Sequence, residues 1–430
     1  MATEYLTETV FTWGAPPLKF GIGALDEIGY DCAHMGLDRV LIVTDEGVAA
    51  TGIPQRTAES MRAAGLKPEI FSGVHVEPTD TSLREAVEFA RHTDWDGFVA
   101  IGGGSSIDTA KAINLLTTNP GDLIDYINKP VGGGAAPREP VKPLVAVPTT
   151  AGTGSESTAM CILDVLALRV KTGISNPRLR PALAVIDPLV TLTLPPRVTA
   201  ACGLDVLCHA LESFTARHFR SYRRRRPEER AVYVGNNPVS DAFIEKALPL
   251  LSRSFRRAVL TGNDLDARSD MLLAASFAGM GFGNAGCHIP HACAYPIAGR
   301  VRAYRPPDYP QDEPIVPHGE SVSLTAPAAF RFTYPTDPER HLRAAELLDP
   351  RGSGSGSDPG DDRERLPRAI ASLMRDIGTP SGIGAVGYTE ADIPDLVEGT
   401  LKQQRILSMA PRDVTGEDLA SIFRDSFENW

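Results

Sequence analysis

The first half of the chain repeats one pattern that the second half lacks. Short runs rich in β-branched residues recur at Val40–Thr44, Gly97–Ile101, Leu144–Val147 and Ala182–Ile186, each bounded by Gly, Pro or Asp. Runs that are apolar throughout, instead of alternating, read as strands buried on both faces. Between them, Ser82–His92 and Ser106–Leu116 carry apolar residues at helical spacing, which makes a βαβ series and an open parallel sheet covered by helices. After Asp187-Pro188 strand-like runs become rare. Val198–Ala216, Pro238–Leu260, Asp264–Phe282 and Pro367–Ile377 read as helices, with Thr199 and Asp264 as expected N-caps.

A chain of 430 residues is too long for a single core, because cores stop growing near ~250–300 residues. The expected division is an α/β domain over residues 1–190 and an all-helical domain over 191–430. Composition predicts a flexible surface loop for the Gly/Ser-rich stretch from Arg351 to Gly360 and a long exposed excursion for Arg217–Arg230.

Charge narrows the function classes. Lys and Arg number 43 and Asp and Glu 54, a net charge of −11, which opposes general binding to phosphate polymers. Apolar runs fall far short of the ~20 residues that span a bilayer. Met1–Tyr5 shows neither a signal-peptide nor a transit-peptide character, so the expected address is cytoplasmic. Six cysteines without a C-x-x-C pair predict reduced, buried thiols.

Four stretches can carry chemistry. Gly102-Gly103-Gly104-Ser105-Ser106-Ile107-Asp108-Thr109-Ala110-Lys111 leaves a strand and opens a helix, as a phosphate-binding turn does, although a tight turn without a ligand reads the same. It is not the Rossmann fingerprint, whose third glycine would fall at Ile107. Asp45 follows the strand Val40–Thr44, where a carboxylate can accept from a ribose 2′-OH or simply cap a turn. The loop Pro148–Glu156 gathers hydroxyls and small residues at another strand end. In the helical half, Asp205, His209 and Glu212 stand at i, i+4 and i+7 on one helix face, where two of them can grip one divalent ion. His288, His291 and His318 add imidazoles. One carboxylate with three imidazoles suits Fe(II) or Zn(II) better than Mg(II) or Ca(II), whereas any one of these histidines alone is more often a satisfied core or surface group than a ligand.

In order and spacing, the Gly102–Lys111 turn, the Pro148–Glu156 loop, Asp187-Pro188, Gly203-Leu204-Asp205 with His209 and Glu212, and His291 with Pro-His-Gly at 317–319 resemble the iron-containing alcohol dehydrogenase family. Gly235–Asp241, Phe277–Gly286, Ala385–Tyr388 and the long insert between His291 and His318 are most similar to its hydroxyacid–oxoacid transhydrogenase branch. The resemblance implies an N-terminal dinucleotide-binding domain, a helical C-terminal domain, and a cleft between them holding NAD and one metal, Fe(II) before Zn(II). It implies Asp205, His209, His291 and His318 as ligands. It also implies Gly102, Gly103, Gly104 and Ser105, with Asp108 in the same turn, at the pyrophosphate, Asp45 at the adenosine ribose, and Thr149, Thr150 and Thr153 along the cofactor. One departure is that many members carry a histidine four residues after the third ligand, where this chain has Tyr295. Tyr295 or His288 is therefore the expected substitute in a proton relay beside His291.

The branch implies hydride passage from 4-hydroxybutyrate to 2-oxoglutarate through retained NAD, giving succinic semialdehyde and 2-hydroxyglutarate. An ordinary NAD-dependent alcohol dehydrogenase releasing NADH, and a non-catalytic nucleotide- or metal-binding protein, are the alternatives; the intact ligand positions speak against the last. Hydroxy-acid substrates require a cation, for which the Arg-rich stretch and Lys171 are candidates. The family resemblance implies a dimer or larger.

Overall fold

The computed structural model describes residues 6–168, 170–309, 311–350, 352 and 361–430. The chain forms two compact units, Ala15–Thr193 and a second made of Leu194–Trp430 with the residues up to Gly14. The division falls three residues beyond the expected boundary, and the N-terminal segment belongs with the helical unit. Aromatic contacts hold it there: Trp13 stacks on Phe243 at 5.2 Å and donates its indole N–H to the Met280 carbonyl, and Phe11 meets Phe219 edge-on.

In the α/β unit, strands β1 (Leu18–Phe20), β2 (Arg39–Val43), β3 (Lys67–Phe71), β4 (Gly97–Gly102), β5 (Leu144–Pro148) and β8 (Leu183–Ile186) form a six-stranded sheet in the order β1-β8-β5-β4-β2-β3. Every pairing is parallel. Alternate residues of the expected strands serve two cores. Leu41, Val43, Phe98 and Ala100 pack on one face, and Val40, Ile42, Val99 and Ile101 on the other, which is why these runs are apolar without alternation. An antiparallel hairpin of β6 (Met160–Val165) and β7 (Val170–Ser175) lies outside the sheet.

No strand occurs among the described residues of the helical unit. Helices Pro196–Thr215, Pro238–Leu260, Leu265–Ala285 and Arg365–Asp376 lie where spacing places them. Asp264 caps its helix by accepting from the Ala267 N–H at 3.0 Å. Thr199 does not act as a cap, contrary to expectation. The helix begins at Pro196, whose fixed φ suits a first position, and the Thr199 hydroxyl donates to the Pro195 carbonyl and accepts from Arg268.

Arg217–Arg230 is an excursion with mostly exposed side chains. Arg217 reaches the Ala410 carbonyl and Asp413, Arg226 pairs with Glu228 and Glu229, and Arg230 pairs with Glu8. The expected Gly/Ser loop from Arg351 to Gly360 lies, apart from Gly352, outside the described residues. No disulfide forms, and five of the six cysteines are buried. Among the described residues no helix is long and apolar enough to cross a membrane.

Candidate functional site

The α/β unit gathers its candidates at the carboxyl ends of three neighbouring strands, β5, β4 and β2, where open α/β sheets bind ligands. β4 runs into the turn Gly102–Gly104, and the helix Gly104–Thr118 starts at Gly103 with no side-chain cap, which leaves its first N–H groups to an anion. Gly102 has φ +154°, and a Cβ there would lie 2.2 Å from the Ser106 hydroxyl oxygen. Ser106 in turn donates to Asp45 at 3.1 Å, while the other Asp45 oxygen accepts from the Val48 N–H. Thr149 donates its N–H to the Gly102 carbonyl, and Thr150 and Thr153 flank Gly103 and Gly104. Ser105 accepts from the Glu77 N–H. The structure thus brings Asp45, Gly102, Gly103, Gly104, Ser105, Thr149, Thr150 and Thr153 together.

Asp108 sits differently, with its carboxylate turned inward. One oxygen accepts from the Ser155 hydroxyl at 2.5 Å and the other from the Ile162 N–H at 2.8 Å. Beside it Lys111, fully buried, donates to the Ser155 and Met160 carbonyls and to the Ser155 and Thr158 hydroxyls. Burial pulls the Lys111 ammonium below its ordinary pKa and pushes the Asp108 carboxyl above its own, against their mutual attraction. This pair clamps the Pro148–Glu156 loop onto the first helix turns.

In the helical unit, Asp205, His209 and Glu212 do share one buried face of Pro196–Thr215. Asp205 Oδ1 lies 3.3 Å from His291 Nε2, 3.6 Å from His209 Nε2 and 3.8 Å from His318 Nε2. His291 comes from the helix Ile289–Gly299 and His318 from His318–Ser323. Gly319 is what lets His318 approach, since a Cβ there would lie 1.8 Å from the Ala201 carbonyl oxygen.

This set fits a metal ion. Asp205 Oδ1 and His291 Nε2 are buried without a hydrogen-bond partner, an arrangement that is costly unless something else satisfies them. Donors about 2.0–2.2 Å from a common ion stand about 3.0–3.5 Å apart; donor atoms of Asp205, His291 and His318 gather within 4.8 Å of one another, and His209 Nε2 stands 3.6 Å from Asp205 Oδ1. Burial pushes His209 down to about 3, leaving a neutral imidazole with a lone pair to offer. Stacking on Phe282 at 3.8 Å fixes the His209 ring.

Glu212 is not one of the converging donors. Its Oε1 accepts from the His288 and His291 N–H groups, and its Oε2 accepts from His291 Nδ1, so Nε2 is the nitrogen left facing Asp205. His288 is enclosed, its Nε2 bonded to the Thr215 hydroxyl at 3.0 Å. The Tyr295 ring lies 6.4 Å from that of His318 and nearly parallel to it. Sequence reasoning missed Cys287, whose sulfur lies within 4.8 Å of donor nitrogens of His209 and His291. The one signal for it was its position four residues before His291. Lys171, a candidate cation, is taken by Glu77 and Asp164.

With this geometry in view, two family models account for most of the chain: "iron-containing alcohol dehydrogenase" over residues 16–188, and the C-terminal model of the same family over 228–427. The chain belongs to the iron-containing alcohol dehydrogenase family. It is 44% identical to the mitochondrial hydroxyacid-oxoacid transhydrogenase of Bos taurus over 98% of this chain and 91% of that protein. Among solved structures it resembles a 1,3-propanediol oxidoreductase, with a TM-score of 0.82 and 32% identity, covering 97% of this chain and 100% of the other. It also resembles the NAD+ complex of sulfoacetaldehyde reductase from Bifidobacterium kashiwanohense, with a TM-score of 0.80 and 26% identity over 98% and 99%. As a member of this family the protein is an oxidoreductase acting on CH–OH groups of small molecules.

Proposed function

We propose that the protein is a hydroxyacid–oxoacid transhydrogenase, moving a hydride from a hydroxy acid such as 4-hydroxybutyrate to an oxo acid such as 2-oxoglutarate through NAD that it retains. Fe(II) is the metal in this reading. Its main support is the 44% identity to the bovine transhydrogenase over 98% of the chain, together with an unpartnered Asp205 Oδ1 facing three imidazoles.

When bound, the ion supplies Lewis acidity to a substrate oxygen and NAD supplies the hydride carrier. The remaining work falls to side chains. Asp205, His209, His291 and His318 hold the ion, and Glu212 keeps His291 Nε2 aimed at it by accepting from Nδ1. The uncapped N–H groups after Gly103 hold the pyrophosphate. Asp45 accepts from the adenosine ribose and repels a 2′-phosphate, which favours NAD over NADP. Thr149, Thr150 and Thr153 line the cofactor.

Tyr295 is the relay in this reading, supported by its ring lying 6.4 Å from that of His318 and nearly parallel to it. His288, closed in behind Glu212 and bonded to Thr215, serves to orient that carboxylate through its own N–H. Tyr295→Phe with full activity at every pH would remove the tyrosine from the relay.

The deciding experiment measures metal and nucleotide in the purified protein, then supplies 4-hydroxybutyrate with and without 2-oxoglutarate. Turnover that requires the second acid is the expected result. Stoichiometric NADH release from added NAD and a simple alcohol would instead select an ordinary NAD-dependent alcohol dehydrogenase.

A further inference from the structure

A transhydrogenase of hydroxy and oxo acids must recognise a carboxylate that takes no part in the chemistry. The two acids share a geometric feature: in 4-hydroxybutyrate the carboxylate lies at C1 and the reacting carbon is C4, while in 2-oxoglutarate a carboxylate lies at C5 and the reacting carbon is C2. The spacing is the same, so one fixed cation can serve both half-reactions. An arginine fork suits this best, since it meets a carboxylate through two parallel hydrogen bonds.

Several of the arginines already considered, and the lysine, are committed elsewhere. Arg217, Arg226 and Arg230 of the Arg-rich excursion have acidic or carbonyl partners, and Lys171 belongs to Glu77 and Asp164. Arg405 is placed differently. It lies on the short helix Gln404–Leu407, which packs against Ile289–Gly299, the helix of His291 and Tyr295. The Arg405 side chain is half-buried, and no carboxylate lies within ion-pair distance of it among the described residues. Its guanidinium stands over the Tyr233 ring, 5.2 Å from the centroid, a contact that holds a cation without neutralising it.

Tyr233 in turn is tied to the metal centre. The Val234 and Gly235 N–H groups donate to the Asn284 and Ala285 carbonyls, pinning this segment to the end of Leu265–Ala285. A Cβ on the next residue, Gly286, would lie 3.2 Å from Tyr233 Cδ2. Cys287 and Tyr295 both fall within electrostatic reach of the Tyr233 hydroxyl. A half-buried cation without an acidic partner thus sits one aromatic ring away from the residues around His291.

We propose that Arg405, held over Tyr233, is the group that binds the non-reacting carboxylate of both the hydroxy acid and the oxo acid, an inference that rests on the transhydrogenase reading. Tyr233 is the positioning residue that orients the guanidinium.

The test uses the purified holoenzyme and reads binding separately from turnover, with glutarate as an unreactive dicarboxylate probe. In Arg405→Gln the calorimetric Kd for glutarate and the KM for 4-hydroxybutyrate are expected to rise about 10- to 100-fold, the range for losing hydrogen bonds to a charged group, with the smaller change in kcat. Arg405→Lys recovers part of the loss because it keeps the charge but not the fork. Tyr233→Leu gives a smaller rise of the same kind. Unchanged glutarate binding and KM in Arg405→Gln, in an enzyme whose wild type handles both acids, would overturn the assignment of Arg405 alone. So would equal losses in the Gln and Lys variants carried entirely by kcat. A wild-type enzyme that neither turns over 4-hydroxybutyrate nor binds glutarate would overturn the transhydrogenase reading and this inference with it.

Discussion

Glu212 holds His291 at two points, accepting from its ring Nδ1 and, at 3.2 Å, from its backbone N–H. The carboxylate is fully buried, and it also accepts from the His288 N–H at 2.8 Å, so it fixes both the imidazole and the start of the helix that carries it. Glu212→Gln keeps the shape but brings an amide that can donate where only acceptance is wanted. Loss of such an orienting partner typically costs 10- to 100-fold in metal affinity. Chelator competition is expected to show a fall of about that size, and an unchanged metal affinity would remove Glu212 from this role.

Lys111 is a fully buried cation in the α/β unit, surrounded by oxygens of Ser155, Thr158, Met160 and Asp108. Lys111→Met strands the Asp108 carboxylate and unpins the Ser155 carbonyl. Breaking one side of a buried charged pair costs about 3–5 kcal/mol, and chemical denaturation is expected to find a loss of that order. Lys111→Met combined with Asp108→Asn loses less than the sum of the two single changes, because the residues share partners.

Gly102→Ala tests the phosphate-binding turn. The added methyl would lie 2.2 Å from the Ser106 hydroxyl oxygen and 3.3 Å from Asp45, so Ser106 must move and its bond to Asp45 breaks. Overpacking of this kind costs about 1–3 kcal/mol. A lower Tm and weaker NAD retention are expected together. NAD retained at the wild-type level after gel filtration would count against the turn as the nucleotide site.

His288 predicts a pH dependence. Burial pushes it from 6.5 down to about 4, so between those values the unfolded chain binds a proton that the folded chain refuses. Stability from this group is present above pH 6.5 and is lost as pH falls toward 4, by an amount on the order of 3 kcal/mol. In His288→Gln that contribution is absent. The difference between wild-type and variant unfolding free energies should therefore shrink as pH falls through this window, and a constant difference would contradict it.

Periodicity alone located much of this molecule. Val40–Val43 and Gly97–Ile101 are strands in the sequence because they are apolar without alternation, and the fold places alternate residues of each in two separate cores. The i, i+4, i+7 spacing put Asp205, His209 and Glu212 on one face by helix geometry. β3, Lys67–Phe71, contains Lys, Pro and Glu and looks like no strand by itself; it becomes one at the sheet edge by pairing with β2. Residues 6–14 carry no mark of their home either, because what draws them to the helical unit is the surface offered by Phe219, Arg230, Phe243, Met280 and Asn284.

The same division runs through the site. Local pattern dictates which face of a helix a side chain occupies, because that follows from the chain's own turn per residue. It does not dictate what stands opposite, because the opposing group arrives from a segment tens or hundreds of residues away. Sequence therefore supplied Asp205 and the imidazoles as candidates. Tertiary packing alone made Glu212 an orienting acceptor for His291, set Cys287 beside His209, and laid the Arg405 guanidinium over Tyr233.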